Sequence, residues 1–249
     1  MIIYIILFLL LLLLILCRKK DEIVFEELYI NDEDLNSYVI CIDDKRFNVA
    51  RKNLSKYFPN LKKYNAIVIK DIDPKLLSIS GLRSIFYDKH RKTHADLGSL
   101  GAVGCALSHY NLWSKIEKNS GMYIFESDAI CTENPIKYVN KFIKENNNFH
   151  ILLFGEFNYE KSDNKKKIIK VNDRFYGLHG YYITYEGAQL LSKYMFPIEQ
   201  QVDSYISDIL LLQKKLNIEL NIYIINPGIC YQKNDFGTLI QTKSVYNLI

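Results

Sequence analysis

Short apolar runs alternate with longer amphipathic stretches from residue 38 onward. Runs with the length and composition of buried strands occupy residues 38–42, 65–69, 122–125, 149–154, 181–184 and 220–225. Apolar positions at helical spacing predict helices over residues 46–57, 104–116, 135–144, 187–194 and 202–216. Strands that alternate with helices in this way predict a single α/β domain with a mostly parallel sheet.

The polar stretches between these elements predict surface loops. Residues 84–97 and the lysine-rich residues 158–171 have no apolar period and are interpreted as exposed loops. Beyond Pro227 the chain is polar and irregular, and this tail is well placed to fold back over a site. Residues 18–37 are charged and mixed, which is typical of a linker.

Residues 1–17 form an unbroken apolar run that is followed at once by Arg18, Lys19 and Lys20. As a helix the run spans about 25 Å, close to the thickness of a bilayer core. A cleaved signal peptide is the alternative, but there is no basic region before the run and no small-residue cleavage site after it. We therefore predict an uncleaved transmembrane anchor at 1–17, a linker at 18–37 and a domain at 38–249. The basic cluster favours a cytosolic domain, whereas the sequon at Asn53 would fit the opposite side.

Composition and charge exclude some classes of protein. The chain has 249 residues and a net charge of +4 without an extended basic surface pattern, so nucleic acid is not an expected partner. Five cysteines are scattered without CxxC spacing, which argues against a zinc site or a disulfide framework.

The strand at 122–125 stops on two acids, Glu126 and Asp128. Ligands bind at the carboxyl ends of strands in open α/β sheets. Carboxylates one residue apart on an extended backbone point the same way, so this pair could share a hard divalent cation with open positions for diphosphate oxygens. The alternative is that Ser127 or Asp128 caps a following helix.

Several short sequence motifs in this chain occur in the same order in one known protein family. They are VICID at 39–43 with Arg51, GCALSH at 104–109 with Trp113, FESDA at 125–129, GLHGYYI at 177–183 with Gly187 and Ala188, Pro197 and Ile198 with Asp203, and Gln232 with Asp235 and Thr238. In these segments the chain resembles the family 25 glycosyltransferases, over nearly everything after the linker. The family usually has a third acid where this chain has Ser127, and often a glutamate at Ala102.

The resemblance implies a Rossmann-like domain of GT-A type and an inverting hexosyltransferase. Such an enzyme takes a nucleotide-sugar donor, expected to be a UDP-sugar, with Mn²⁺ or Mg²⁺, and its acceptor is a hydroxyl of a glycan or glycoprotein. Glu126 and Asp128 are the expected metal ligands, and Asp203 or Glu156 the base that takes the acceptor's proton. The residues expected to bind the nucleotide-sugar are Arg51, Ser108, His109, His179 and Gln232.

Each of these roles has a plainer alternative. Asp203 and Glu156 could be helix caps or surface acids, and His109 a buried structural residue. For the whole chain, the alternatives are a catalytically silent relative, which Ser127 would fit, and a metal-dependent phosphoesterase, which would need more metal ligands than the sequence places near Glu126.

Overall fold

The computed structural model describes residues 36–88, 93–146, 148–155 and 167–233. Within these ranges seven strands form one sheet in the order β2-β1-β3-β7-β5-β8-β6, and β4 pairs separately with β9. The strands are β1 (Ser37–Cys41), β2 (Lys62–Asn65), β3 (Gly121–Glu126), β4 (Ala129–Cys131), β5 (Ile151–Leu153), β6 (Lys167–Lys170), β7 (Gly180–Thr184), β8 (Ile222–Asn226) and β9 (Cys230–Gln232).

Five strands of the large sheet run in one direction, and β7 and β6 run against them. The α/β class with a mostly parallel central sheet, as predicted from the sequence, is therefore confirmed. Strand β7 lies between β3 and β5 and is antiparallel to both. Because β7 is antiparallel to β3, its first residue, Gly180, lies opposite Phe125 near the carboxyl end of β3.

In the described ranges, six α-helices connect and cover the strands. They are α1 (Asp44–Leu54), α2 (Ile79–Phe86), α3 (Leu100–Trp113), α4 (Pro135–Glu145), α5 (Tyr185–Tyr194) and α6 (Val202–Leu216). Five of them begin after a residue whose side chain accepts a hydrogen bond from the first turn: Asp43, Ser78, Ser99, Asn134 and Thr184. These caps satisfy backbone N–H groups that a helix start leaves without partners, so local sequence sets where the helices begin.

The core lies on the central strands and the helices that cover them. Met122 to Phe125 of β3 and all of β5 are buried, which explains why these strands are continuous apolar runs rather than alternating ones. Trp113 and Tyr181 are among the largest fully buried side chains. Tyr181 pairs in register with Ile124 of β3, and Trp113 Nε1 donates to its hydroxyl.

Three predictions about elements were wrong. The second strand is residues 62–65, not 65–69, because the backbone N–H of Ile67 donates to Ser108 Oγ (2.9 Å) instead of joining the sheet. The supposed loop at 84–97 begins inside helix α2, which Ser78 caps. The supposed loop at 158–171 ends in β6, an edge strand with exposed lysines at both ends.

Residues 1–17 lie outside the described ranges, and the predicted anchor with them. In the described part of the chain, no helix is both long and apolar enough to cross a bilayer. The division into anchor, linker and domain stays a prediction.

Candidate active site

Strand β3 ends on Glu126, beside the residue that precedes β7. The Glu126 N–H donates to the backbone oxygen of His179 (3.0 Å), which extends the antiparallel pairing of β3 and β7 by one bond. His179 is almost fully buried. It follows Gly177, whose φ of 94° is a left-handed conformation that favours glycine. The turn at Gly177 thus brings His179 to the acidic end of β3.

Asp128 lies in the turn between β3 and β4, and strand β9 holds it from the other side. Gln232 Nε2 donates to Asp128 Oδ2 (2.7 Å), and the Lys233 N–H donates to the Asp128 backbone oxygen (2.8 Å). Asp128 Oδ1 is buried and has no hydrogen-bond partner among the described residues. A strand follows Asp128, and helix α4 is capped by Asn134, so the helix-cap interpretation of the acidic pair was wrong.

The two carboxylates differ in their electrostatics. Burial, and next the charge of Glu126, raise the pKa of Asp128 to about 6, against the opposing effects of Gln232 and Arg46. For Glu126, burial favours the neutral acid, but the neighbouring imidazoles of His109 and His179 outweigh it and leave its pKa lowered. Glu126 is therefore the ionised partner at neutral pH, and Asp128 lies next to its charge.

His109 belongs to a buried network with Trp113 and Tyr181. Tyr181 Oη is 2.7 Å from His109 Nδ1 and accepts a hydrogen bond from Trp113 Nε1 (2.9 Å). Because the indole can only donate, the Tyr181 hydroxyl has its own proton available for His109 Nδ1. In that arrangement the neutral imidazole carries its proton on Nε2, which lies 3.8 Å from Glu126 Oε1. His109 and Trp113, one turn apart on α3, thus both contact Tyr181 through its hydroxyl.

Ser108 joins helix α3 to the chain after β2. Its hydroxyl donates to Gly104 O (2.6 Å) and accepts from the Ile67 N–H (2.9 Å). Both bonds lie inside the protein, so in this structure the side chain holds two elements together. A contact between Ser108 and a nucleotide-sugar stays a prediction.

Helix α1 carries one arginine in its first turn and one in its last turn. Arg51, the predicted donor-binding residue, is exposed in the last turn of the helix. Arg46, in the first turn, is the one whose charge lowers the pKa of Asp128. Donor binding by Arg51 stays a prediction.

Asp203 lies in the first turn of α6, and its carboxylate accepts two backbone hydrogen bonds. Oδ2 accepts from the Gly177 N–H (2.9 Å) and Oδ1 from the Ser204 N–H (2.7 Å). It thereby anchors the turn that leads to His179. The other candidate base, Glu156, lies outside the described residues, as do Asp235 and Thr238.

Cys105 is a component of the site that sequence reasoning missed. Its Sγ, a ring nitrogen of His109 and a carboxylate oxygen of Glu126 all lie within 4.8 Å of one another. Burial, and then the charges of Glu126, Asp203 and Asp128, raise the pKa of the Cys105 thiol well above its ordinary value. The spacing of Cys105 and His109, one helical turn apart, was the available signal.

Comparison with known proteins supports the family resemblance. A family model described as glycosyltransferase family 25 (LPS biosynthesis protein) matches residues 34–206. The lipooligosaccharide biosynthesis protein lic2B of Haemophilus influenzae is 31% identical over 156 residues, which cover 56% of this chain and 56% of that protein. The lipooligosaccharide biosynthesis protein lex-1 of Haemophilus influenzae is 30% identical over 163 residues, 58% of this chain and 52% of that protein.

The chain therefore spans about half the length of the curated relatives it matches. Among solved structures, A197 from STIV aligns with a TM-score of 0.40 and 9% identity over 81% of this chain and 86% of that one. The match to the family model spans well over half of the chain. It includes the acids Glu126 and Asp128, the histidines His109 and His179, and Asp203. This chain belongs to glycosyltransferase family 25.

Proposed function

We propose that this protein transfers a sugar from a nucleotide-sugar, with UDP as the expected nucleotide, to a hydroxyl group of a glycan. Family membership supports the reaction class, and the names of two relatives favour a lipooligosaccharide acceptor. The proposal includes a GT-A type domain, inversion at the sugar carbon and a membrane anchor at residues 1–17. The observation that carries it is the pair of half-buried acids, Glu126 and Asp128, at the carboxyl end of β3.

The residues at this end of the sheet fit a hard divalent cation such as Mn²⁺ or Mg²⁺. Asp128 Oδ1 is buried without a hydrogen-bond partner in the described ranges, next to the negative charge of Glu126. Two carboxylates forced together in this way are stabilised when a cation neutralises them. Glu126 and Asp128 would hold the ion, which when bound neutralises negative charge that develops on a diphosphate leaving group.

The other side chains of the site would position the substrates. Gln232 orients the Asp128 carboxylate, and the network of Trp113, Tyr181 and His109 orients a nitrogen toward Glu126. An acceptor hydroxyl has to lose its proton as it attacks, and a carboxylate is the expected base. Asp203 and Glu156 are the candidates. Asp203 already accepts hydrogen bonds from two backbone amides, so its carboxylate is held in a fixed orientation.

The test is donor turnover by the purified chain with Mn²⁺ and a panel of UDP-sugars. We expect slow hydrolysis of at least one donor, because water can replace the acceptor, and at least about a tenfold loss in Asp128→Ala. Glu117→Ala is the matched control and should keep the wild-type rate, because Glu117 is an exposed acid that precedes the amino end of β3, opposite the end that carries Glu126.

A catalytically silent relative is the second candidate, favoured by Ser127 between the two acids. Calorimetry separates the two functions. Donor binding without turnover would favour the silent relative, and the absence of any donor binding, with or without metal, would contradict the proposed transfer. Protease protection on intact vesicles and sequencing of the mature N-terminus would test the anchor and its orientation.

A further inference from the structure

Three potential metal ligands converge on the inner side of Glu126. Cys105 and His109 lie one turn apart on helix α3, and Glu126 faces them from the end of β3. Their ligand atoms all lie within 4.8 Å of one another. Asp128, the other acid of the proposed hard-cation pair, does not belong to this cluster.

A buried nitrogen points into the cluster. His109 is 0% exposed, and its Nε2 has no hydrogen-bond partner in the part of the chain that the structure describes. The nearest carboxylate oxygen, on Glu126, is 3.8 Å away, beyond hydrogen-bond distance. A buried polar atom without a partner is costly, and a ligand bound between these groups would remove that cost.

We propose that Cys105, His109 and Glu126 form a binding site for a thiophilic divalent cation of the Zn²⁺ class. Sulfur, imidazole and carboxylate ligands together suit Zn²⁺ and Co²⁺, whereas Mg²⁺ and Mn²⁺ prefer oxygen alone. Three protein ligands leave a fourth position open, as in zinc sites that bind a water or a substrate. The widely spaced cysteines of the sequence did not predict this site, because only one of its ligands is a cysteine.

The surroundings favour a cation here. Cys105 lies in the negative field of Glu126, Asp203 and Asp128, which opposes a free thiolate but attracts a positive ion. When a metal binds to Nε2, the imidazole proton has to be on Nδ1, and Tyr181 Oη at 2.7 Å can accept it. A hydrogen bond of this kind commonly orients metal-binding histidines.

Cobalt is the probe, since Co²⁺ replaces Zn²⁺ and reports its ligands by absorption. We expect the full-length, metal-free chain to develop a thiolate-to-cobalt charge-transfer band on titration with Co²⁺, and Zn²⁺ to abolish that band. Co²⁺ held only by the oxygens of Glu126 and Asp128 would give no such band. The readout needs no sugar transfer, so it succeeds or fails independently of the proposed function.

Variants assign the ligands. Cys105→Ser should lose the band, and His109→Gln should weaken Co²⁺ binding by more than the roughly 10- to 100-fold that changes around a metal ligand cost. Cys131→Ser is the matched control. Cys131 pairs in register with Cys230, so these two thiols are the other pair that could bind Co²⁺. It should keep the band.

Several results would overturn the proposal: no thiolate band in the wild-type chain, a band that persists in Cys105→Ser, or binding that is unchanged in His109→Gln, which keeps every cysteine. If Cys105→Ser does not fold, alkylation of the wild-type chain gives the answer by mass spectrometry. Zn²⁺ should slow the modification of Cys105 but not that of Cys41, and equal rates with and without Zn²⁺ would contradict the site.

Discussion

At the residue scale, the pair Glu126 and Asp128 combines local hydrogen bonds with unfavourable electrostatics. Asp128 is held in place by Gln232, yet its carboxylate is half-buried beside another acid. A charge kept in such a position is retained for binding rather than for stability. The metal-free protein should therefore be less stable with this carboxylate than without its charge.

Asp128→Asn should stabilise the metal-free protein near neutral pH. The pKa of Asp128 is raised from 3.8 to about 6 in the folded chain, so the native state binds more protons than the unfolded state between these values, and stability falls as pH rises through them. Allowing for partial exposure, we expect the variant to gain about 1–2 kcal/mol at about pH 7.5 and almost nothing at about pH 4. Urea denaturation at both pH values measures the difference.

Glu117→Gln is the control for that prediction, since Glu117 is exposed and precedes the amino end of β3, opposite the end that carries the acids. It should change stability little at either pH. A loss of stability in Asp128→Asn at neutral pH would contradict the prediction, because it would show that the charged carboxylate stabilises the metal-free protein.

Tyr181→Phe should destabilise the protein, because it leaves two buried groups, Trp113 Nε1 and His109 Nδ1, without their partner. Unsatisfied buried groups cost about 1–3 kcal/mol each, so we expect a loss of about 2–4 kcal/mol in the free energy of unfolding. Tyr182→Phe, on the opposite face of the same strand, is the matched control. Equal losses in both variants in urea denaturation would contradict the network.

At the element scale, helix α3 is held against the backbone that follows β2. A Cβ at Gly104 would lie 2.2 Å from the Ile67 backbone oxygen, and Ser108, one turn later, bonds the Ile67 N–H. This close approach explains why the second strand ends earlier than the sequence predicts, and why the GCALSH segment begins with glycine. It takes residues 67–69 out of the sheet where an apolar run predicts a strand, and it requires a glycine where the GCALSH segment has one.

Gly104→Ala should therefore destabilise the protein by about 1–3 kcal/mol, the usual penalty for overpacking, because the obstacle is backbone rather than a flexible side chain. Gly101→Ala is the control on the same helix. Gly101 is exposed, so alanine there should stabilise by about 0.5–1 kcal/mol through helix propensity. Thermal and urea unfolding of the two variants should move in opposite directions, and a neutral Gly104→Ala would contradict the close contact.

At the scale of the whole molecule, the region matched by the family model is smaller than the folding unit. The match ends at residue 206, inside helix α6, whereas β8 lies between β5 and β6 in the sheet and β9 contributes Gln232 to Asp128. The part of the chain after the match thus completes both the sheet and the candidate site.

A chain that stops after residue 206 should fail to fold, because it loses most of α6 and the strand that joins β6 to the rest of the sheet. A chain that stops after Lys233 keeps every described element and is the matched control, with the expected cooperative unfolding. Circular dichroism and solubility measure the difference. A cooperative thermal transition in the shorter chain would contradict this account.

Features that depend on neighbouring residues could be predicted from the amino-acid sequence. Helix α6 has the bounds that its apolar period predicts, and β3 was recognised from its continuous apolar run together with the acids at its end, because periodicity, caps and short buried runs are local. The residues around Glu126, in contrast, could be identified only from the tertiary structure. Cys105, the pair His179 and Tyr181, and Gln232 come from three separate segments. They lie together because β7 is antiparallel to β3 and β9 pairs with β4. Strand order and direction depend on contacts between distant segments, which no local pattern encodes.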